Sequence, residues 1–332
     1  MKLSILDQVV ISRGRSAKDA IEETKQLAIF ADEWGFTRYW IAEHHDLPGL
    51  ACPAPEVLLG IIGAFTRQIR IGAGAVLLPN YQPYRVAETY NVLATMYPDR
   101  VDIGVGRSPG GSAEASQALT PNMLQAIYDM PKKVEELLHF IQNDFPEGHS
   151  YHSLKAAPVP IKPPVPWILG TSIKSAKLAA SHGLPYAVGH FMNKESSQKA
   201  AKAYKEHFQP TKQNQEPRLM LAVSIVCAES NQKAKEIARS GYIWSIERAK
   251  GEGLDGLPSK DHAKSYPLTT DEEDKMRELE QKQLIGTPDE VKQDLFKLAT
   301  EYDTDECMLL TNVHSFEDRK ESFRLLGKEM LS

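Results

Sequence analysis

The stretch Arg100-Val-Asp-Ile-Gly-Val-Gly-Arg-Ser-Pro-Gly-Gly111 combines a strand pattern with a loop that opens around a charged side chain. Val101, Ile103 and Val105 alternate with other residues, which is the period of a β-strand. The Gly, Pro and Ser residues that follow end the strand, so Arg107 lies at its carboxyl end among small side chains. A guanidinium beside exposed backbone N–H groups is a good receptor for a phosphate. On this stretch alone, an ordinary strand-to-loop turn with a solvated Arg107 is an equal alternative.

Apolar segments with strand periodicity alternate with longer amphipathic segments along the whole chain. Helical patterns follow the strands, beginning with residues 16–34, which Ser16 can cap, and including one long helix over 121–143. Eight strands that alternate with eight helices predict a single α/β domain over residues 1–332, a (β/α)8 TIM barrel. A doubly wound open sheet is the alternative. Besides the quoted stretch, the predicted strands are 3–11, 38–42, 69–78, 165–169, 186–188, 218–226 and 306–311.

A polar segment interrupts this pattern after the seventh predicted strand. It covers about residues 251–285, and we interpret it as an insertion that lies over the barrel mouth and acts as a lid. In a barrel of this class, the loops that follow the strands carry the chemistry. The residues of interest are therefore those at the carboxyl ends of the strands.

The composition of the 332-residue chain is that of an ordinary globular protein. A formal net charge of −5 and a pI near 6.1 argue against a nucleic-acid partner, and no apolar run reaches the length of a membrane span. The three cysteines are widely spaced, which argues against a disulfide framework or a structural zinc site and favours the cytoplasm. The N-terminus leads straight into a strand pattern, so we expect no signal peptide.

The segment Glu43-His44-His45-Asp46 ends the second predicted strand and is compatible with three kinds of site. A metal site is disfavoured, because adjacent strand residues point to opposite faces and no third set of ligands is evident. Proton transfer by His44 and His45 fits better, because histidine changes its charge near neutral pH. A structural histidine, hydrogen-bonded at the rim of the barrel, is the remaining alternative.

Two further stretches could contact a ligand. The third strand, Arg70-Ile-Gly-Ala-Gly-Ala-Val-Leu-Leu-Pro79, carries two glycines, which indicates either a flat ring against Gly74-Ala75 or tight packing against a helix. Residues 170–176 open a helix, whose unpaired N–H groups could hold a phosphate with the hydroxyls of the serines and threonine there. A plain helix cap is the alternative for that turn.

Taken in order, these stretches resemble the bacterial luciferase-like family of flavin-dependent monooxygenases, over nearly the whole chain. The resemblance implies a (β/α)8 barrel with an insertion after strand seven and often a homodimer. It also implies reduced FMN and O₂ as co-substrates, or the deazaflavin F420 in some branches. It rests on Ala42-Glu43-His44-His45, the Arg70 to Pro79 strand, Pro83-Tyr-Arg-Val-Ala-Glu88, the Arg100 to Arg107 strand, the Thr171 to Ala176 turn and Ile285-Gly-Thr-Pro-Asp-Glu290.

The resemblance gives specific residues of this chain a role in cofactor binding. Arg107 looks like the arginine that holds the flavin phosphate, and Thr171, Ser172 and Ser175 look like the phosphate-binding turn. Gly74-Ala75 looks like a non-proline cis peptide that lies behind the flavin ring. A metal is not implied.

The resemblance also implies a chemistry. His44, with His45, would move protons at the oxygen-bearing face of the flavin. Luciferase has a reactive cysteine just before the phosphate arginine where this chain has Gly106, so light emission is not expected. The expected enzyme is a monooxygenase that acts on paired donors, incorporates O₂ into a small organic substrate and receives reduced FMN from a separate flavin reductase. An F420-dependent hydride-transfer enzyme and a non-catalytic flavin-binding protein remain alternatives, and the substrate stays open.

Overall fold

Nine parallel strands form one sheet in the computed structural model, which describes residues 1–331. β1 to β6 pair in chain order, β6 pairs with β7, and β7 pairs with β9, which returns to β1. Eight strands therefore close a (β/α)8 barrel, whereas an open sheet is excluded. The strands are β1 (Lys2–Asp7), β2 (Arg38–Ile41), β3 (Arg70–Leu77), β4 (Val101–Gly106), β5 (Val165–Gly170), β6 (Tyr186–Gly189), β7 (Leu219–Cys227), β8 (Gln283–Gly286) and β9 (Glu306–Leu310).

Helices surround this barrel. The first begins where the sequence predicts, because Ser16 Oγ accepts from the Asp19 N–H (3.2 Å) and Asp19 accepts from the Ser16 N–H (2.9 Å). Within residues 1–331, no helix is both long and apolar enough to cross a membrane. The helices are α1 (Ala17–Glu33), α2 (Pro55–Phe65), α3 (Pro83–Met96), α4 (Ala113–Leu119), α5 (Met123–Tyr128), α6 (Met130–Gln142), α7 (Ile173–Ser181), α8 (Lys194–His207), α9 (Asn231–Ala249), α10 (Lys260–Ser265), α11 (Thr270–Glu280), α12 (Pro288–Tyr302) and α13 (Phe316–Leu331).

The structure differs from the predicted elements in three places. The predicted helix over 121–143 is the pair α5 and α6, because Pro131 lacks an N–H and suits the first turn of a helix but not its interior. The helix α4 occupies part of a predicted loop. The strand β8 lies within the predicted insertion and extends the sheet outside the ring by pairing with β7.

The insertion after β7 divides into two parts. Its first part, residues 250–258, reaches the mouth, where the Leu257 N–H donates to the Ile11 carbonyl (2.9 Å) and the Arg13 N–H donates to the Leu257 carbonyl (2.8 Å). The helices α10 and α11 pack against α9 instead. The first part of the predicted insertion therefore contacts the mouth. The apolar cluster between these helices contains Ile243, Ile246, Ala263 and Met276.

The indole of Trp40 fills the middle of the barrel. It packs edge-to-face on Trp167, with ring centroids 5.5 Å apart. A Cβ placed on Gly72 would lie 2.7 Å from Trp40 Nε1, and one on Gly74 would lie 2.7 Å from Leu6 Cδ1. The two glycines of β3 therefore make room for side chains inside the barrel. The predicted alternative, tight packing of these glycines against a helix, is wrong, because they pack against Trp40 and Leu6 of the barrel interior.

Four charged side chains close the amino-terminal end of the barrel. Arg38 donates from Nε to Glu306 (2.7 Å) and from Nη1 to Asp102 (2.7 Å), while Arg70 Nη2 donates to the other oxygen of Asp102 (2.6 Å). Burial raises the pKa of Asp102, but the two guanidiniums together hold it below its ordinary value. Two positive and two negative charges therefore join β2, β3, β4 and β9 across the ring.

Replacing Arg38 with methionine would leave two buried carboxylates short of a partner. We expect Arg38→Met to lower the free energy of unfolding by about 3–5 kcal/mol, measured by reversible urea denaturation. Arg324→Met is the matched control, because Arg324 pairs with Glu321 (2.6 Å) on the exposed side of α13, where such pairs contribute about 1 kcal/mol or less. Similar losses in the two variants would contradict a central role for the buried network.

Candidate active site

The buried carboxylate of Glu43 joins the segments that follow β2 and β3. Its Oε1 lies 2.7 Å from His45 Nε2 and accepts from the Tyr81 hydroxyl (2.8 Å), while its Oε2 accepts from the Leu77 N–H (3.1 Å). Burial raises the pKa of Glu43, and the hydrogen bonds from these donors oppose the rise only in part. Neither Glu43 nor Tyr81 is among the predicted site residues, because the two side chains meet only in the closed barrel.

The loop that follows β4 is fastened to the loop that follows β2. The His45 N–H donates to the Gly110 carbonyl (2.9 Å), and the Ser112 hydroxyl donates to Asp46 (2.6 Å). A Cβ on Gly111 would collide with the His45 carbonyl oxygen, so the two backbones approach each other closely there. These contacts fix the end of the loop that carries Arg107.

His44 has different neighbours from His45. Its Nδ1 is buried and has no hydrogen-bond partner among residues 1–331, while its backbone N–H donates to the Cys52 carbonyl (2.9 Å). Burial, followed by the positive charges of Arg248 and His45, lowers the pKa of His44 to about 4. The imidazole is therefore neutral near pH 7, and one of its ring nitrogens is buried without a hydrogen-bond partner among residues 1–331. Residues 1–331 contain no group of three His, Cys, Asp or Glu side chains placed to hold a metal ion.

Arg107 is the first residue beyond β4, and its side chain is exposed. Within residues 1–331, its guanidinium makes no hydrogen bond or ion pair. The pairing of Val105 with Ile168 brings Arg107 beside Gly170, the last residue of β5. Neighbouring strands lie about 4.8 Å apart, so the structure brings Arg107 and the turn that opens α7 onto adjacent loops of the mouth.

Two of the predicted phosphate ligands also cap α7. Ser172 Oγ accepts from the Ser175 N–H (3.2 Å), and Ser175 Oγ accepts from the Ser172 N–H (3.3 Å). This reciprocal cap fixes the shape of the turn, in agreement with the predicted alternative of a plain helix cap. The N–H groups of Ile173 and Lys174, in the first helical turn, have no intrahelical acceptor. With the hydroxyl of Thr171, they form the open donor set of the turn.

The peptide bond between Gly74 and Ala75 is cis, as the resemblance implies. It lies near the carboxyl end of β3, where the pairing with β4 shifts: Gly74 is opposite Gly104, but Val76 is opposite Val105. This part of β3 presents no side chain larger than a methyl group. Contact between this segment and a cofactor stays a prediction.

A groove of about 910 Å³ lies at the amino-terminal end of the barrel, lined in part by Lys2, Arg218 and Asp305. It carries charges of both signs, and Lys2 already pairs with Asp305 (2.9 Å). Because barrels of this class carry their chemistry at the opposite end, we place the candidate active site at the mouth. There the segments after β2, β4 and β5 hold His44, Arg107 and the α7 turn.

Comparison with known proteins identifies the family of the chain. The family model for luciferase-like monooxygenases matches residues 1–302. The N-acetyl-S-alkylcysteine monooxygenase of Bacillus subtilis (strain 168) is 33% identical over an alignment of 338 positions, which covers 100% of this chain and 99% of that protein. The structure of apo-MsnO8 has a TM-score of 0.89 at 30% identity, covering 99% of this chain and 97% of that one.

A further solved structure shares the fold at lower identity. It is the oxygenating constituent of 3,6-diketocamphane monooxygenase from Pseudomonas putida in complex with FMN, with a TM-score of 0.73 and 19% identity over 98% of this chain and 96% of that one. The fold, the family match and the full-length relatives lead to one conclusion. The chain belongs to the luciferase-like monooxygenase family.

Proposed function

We propose that this protein is an oxidoreductase that uses reduced FMN and O₂ to oxidise a small organic substrate. One observation carries the proposal: Arg107, whose guanidinium has no partner within residues 1–331, directly follows β4, the strand next to the one that leads into the open first turn of α7. Family membership supports a monooxygenase, and the FMN complex of a protein with the same fold supports a flavin.

The residues at the mouth fit a flavin mononucleotide. Arg107 and the N–H groups of the first turn of α7 would hold its phosphate, because a helix start carries a partial positive charge. Thr171 would add a donor, while the mutual cap of Ser172 and Ser175 keeps the turn in shape. The flat ring would lie against Gly74-Ala75, where the strand has no bulky side chain. Bound reduced FMN supplies the electrons that activate O₂.

His44 is the proton-transfer residue of the proposal. Its buried Nδ1 lacks a protein partner, and its lowered pKa keeps the ring neutral at pH 7, the form that can accept a proton from a substrate. His45 lies against Glu43 at 2.7 Å. We therefore assign His45 a positioning role. It holds the loop that carries His44 and affects catalysis only through that loop.

A separate flavin reductase would supply the reduced cofactor. Pro109 stands where a Gly-x-Gly-x-x-Gly fingerprint that begins at Gly104 needs its third glycine, so the pattern of a dinucleotide-binding domain is missing there. The description of the FMN-bound structure as an oxygenating constituent supports such a division of labour. A cytoplasmic location, where reduced nicotinamide and a reductase are available, belongs to the same proposal.

An exposed apolar face on α2 and α3 supports a homodimer. Its residues recur every four positions along each helix, so they form two parallel stripes. The helices lie side by side, since the Tyr97 hydroxyl, just beyond α3, donates to the Gly60 carbonyl of α2 (2.7 Å). Apolar patches of this kind mark interaction sites, and the same face of a second copy would cover it. The face consists of Val57 (60% exposed), Ile61 (39%), Phe65 (58%), Val92 (43%) and Met96 (57%).

Removing the Arg107 guanidinium tests the proposed phosphate site. A hydrogen bond to a charged group contributes about 1.5–3 kcal/mol, so we expect Arg107→Ala to weaken binding of reduced FMN about 10- to 100-fold. Binding of reduced riboflavin, which lacks the phosphate, should not change. Anaerobic fluorescence titration measures both affinities.

The matched control for this titration is Arg324→Ala, which removes an exposed arginine of α13 that pairs with Glu321 (2.6 Å). Equal weakening of FMN and riboflavin binding by Arg107→Ala would contradict the phosphate assignment.

Preference of the wild type for F420 over reduced FMN would contradict the proposed cofactor. Tight binding of oxidised FMN, with no ¹⁸O transferred from ¹⁸O₂ to a panel of organic acids, sulfides and ketones, would indicate a non-catalytic flavin-binding protein.

The lowered pKa of His44 predicts that its ring stays neutral over most of the physiological range. In an NMR titration of the histidine resonances, with the His44 signal assigned by its loss in His44→Gln, this signal should not shift between pH 8 and about 5.5. Arg248→Gln should raise the pKa of His44, because it removes a nearby positive charge. Titration of the wild-type His44 near 6.5 would show that the ring is not buried as described.

A charge on the apolar face should prevent the proposed dimer. We expect Phe65→Glu to convert a dimeric wild type into a monomer in sedimentation velocity runs at micromolar concentration, because the carboxylate would be buried without a partner. Phe296→Glu is the matched control, since Phe296 is 47% exposed on α12, outside this face, and should leave the dimer intact. A monomeric wild type, or a dimeric Phe65→Glu variant, would refute this interface.

A further inference from the structure

The last turn of α9 carries an arginine that the proposed flavin site does not use. Arg248 is partly buried, and burial lowers the pKa of its guanidinium. Within residues 1–331, this guanidinium has no carboxylate or carbonyl partner and lies over the ring of Trp244, 5.0 Å from its centroid. Partial burial of a cation without a hydrogen-bonding or charged partner is unfavourable, unless a ligand supplies that partner.

The carboxylates nearest to Arg248 in the chain are engaged by other groups. Glu247 accepts from Arg13 (2.8 Å) and lies 2.9 Å from the His262 ring, Glu252 pairs with Lys250 (3.5 Å), and Asp255 pairs with Arg13 (2.9 Å). On this side of the mouth the charges near Arg248 are therefore matched with one another, whereas Arg248 has no carboxylate partner within residues 1–331.

Trp244 fixes that cation at the mouth. Its indole is buried against Val10 and Leu257, and its Nε1 donates to the Gly253 carbonyl (3.1 Å). A Cβ on Gly49 would lie 2.6 Å from the indole, so the loop after β2 closes directly onto this ring. Arg248, one helical turn beyond Trp244 on the same face, is thus held beside the loop that carries His44.

Two groups that lack a hydrogen-bond or ion-pair partner within residues 1–331 therefore lie on the same side of the mouth. His44 Nδ1 is buried and unpaired, and Arg248 is the charged residue that contributes most to lowering the pKa of His44. Arg107 and the α7 turn lie elsewhere on the rim, after β4 and β5, so the flavin phosphate would not occupy Arg248.

We propose that Arg248 binds a carboxylate group of the organic substrate and so presents the rest of the substrate to His44 and the flavin. The inference rests on the proposed function and names its substrate class. A carboxylate matches the planar fork of a guanidinium. A phosphate dianion would suit this position less well, because the carboxyl end of α9 and two acidic side chains lie beside it.

The test compares acids with their neutral esters in the protein without flavin. Isothermal titration would use benzoate and N-acetyl-S-methylcysteine as probes, each beside its methyl ester. We expect the wild type to bind at least one acid 10-fold or more tightly than its ester. Arg248→Gln should remove that difference by weakening the acid alone, and Arg248→Lys should restore it in part, because lysine keeps the charge but not the fork.

A second readout reports the location of binding. The acid should shift the His44 resonance in the wild type but not in Arg248→Gln. Arg277→Gln is the matched control, because Arg277 pairs with Asp274 on exposed α11 and should keep the acid preference. An Arg248→Gln protein that still prefers the acid, or a wild type that favours neither acid, overturns the inference.

The two proposals fail in different ways. Arg248→Gln should bind reduced FMN with the wild-type affinity, because Arg107 holds the phosphate. If the acid preference disappears with Arg248 while neither protein binds reduced FMN, the carboxylate site stands and the proposed function fails. If FMN binds normally and the acid preference is absent, only the carboxylate site fails. Competition by inorganic phosphate that depends on Arg248 would make this a phosphate site and overturn the assignment.

Discussion

Hydrogen bonds to one buried carboxylate hold the mouth of the barrel in the arrangement on which the rest of the site depends. Glu43 accepts from Tyr81 and from the Leu77 backbone and contacts His45, so it joins the segments after β2 and β3. Burying a carboxylate is unfavourable unless donors surround it, and here the donors come from separate loops. The loop that Glu43 begins also carries His44 and, through Asp46, binds the loop that carries Arg107. A disturbance at Glu43 would therefore reach both the proton-transfer residue and the phosphate site.

The two ends of the barrel use charge in opposite ways. At the amino-terminal end, Arg38 and Arg70 are matched by Asp102 and Glu306, which join strands across the ring. At the mouth, several polar groups have no hydrogen-bond or ion-pair partner among residues 1–331, including the Arg107 guanidinium, the Arg248 guanidinium and His44 Nδ1. Unsatisfied buried or partly buried groups are unfavourable in the free protein and become favourable when a ligand supplies the missing partner. The buried charge network of the amino-terminal end thus stabilises the ring, whereas the unpaired groups of the mouth can receive a ligand.

Much of this arrangement follows from local sequence patterns, and the rest requires the closed ring. The alternation of strand and helix predicts the barrel, and the short-range patterns around Ser16, Arg107 and residues 170–176 predict a capped helix, a strand end and an open helical turn. The contact of Tyr81 with Glu43 depends on where a second loop returns, which no local period encodes. Arg248 lies in the last turn of an ordinary amphipathic helix, and only the packing of Trp244 against the loop after β2 brings it to the mouth. The break between α5 and α6 at Pro131 could have been predicted from the sequence, because proline suits the first turn of a helix and not its interior.

The central claim is that the mouth binds a flavin through its phosphate, between the loop after β4 and the first turn of α7. A crystal structure of the protein with FMN measures this most directly. We predict that the phosphate oxygens lie within hydrogen-bonding distance of the Arg107 guanidinium and of the Ile173 and Lys174 N–H groups. The flavin ring should lie beside Gly74-Ala75. A phosphate in the groove at the amino-terminal end, beside Lys2 and Arg218, would contradict the account.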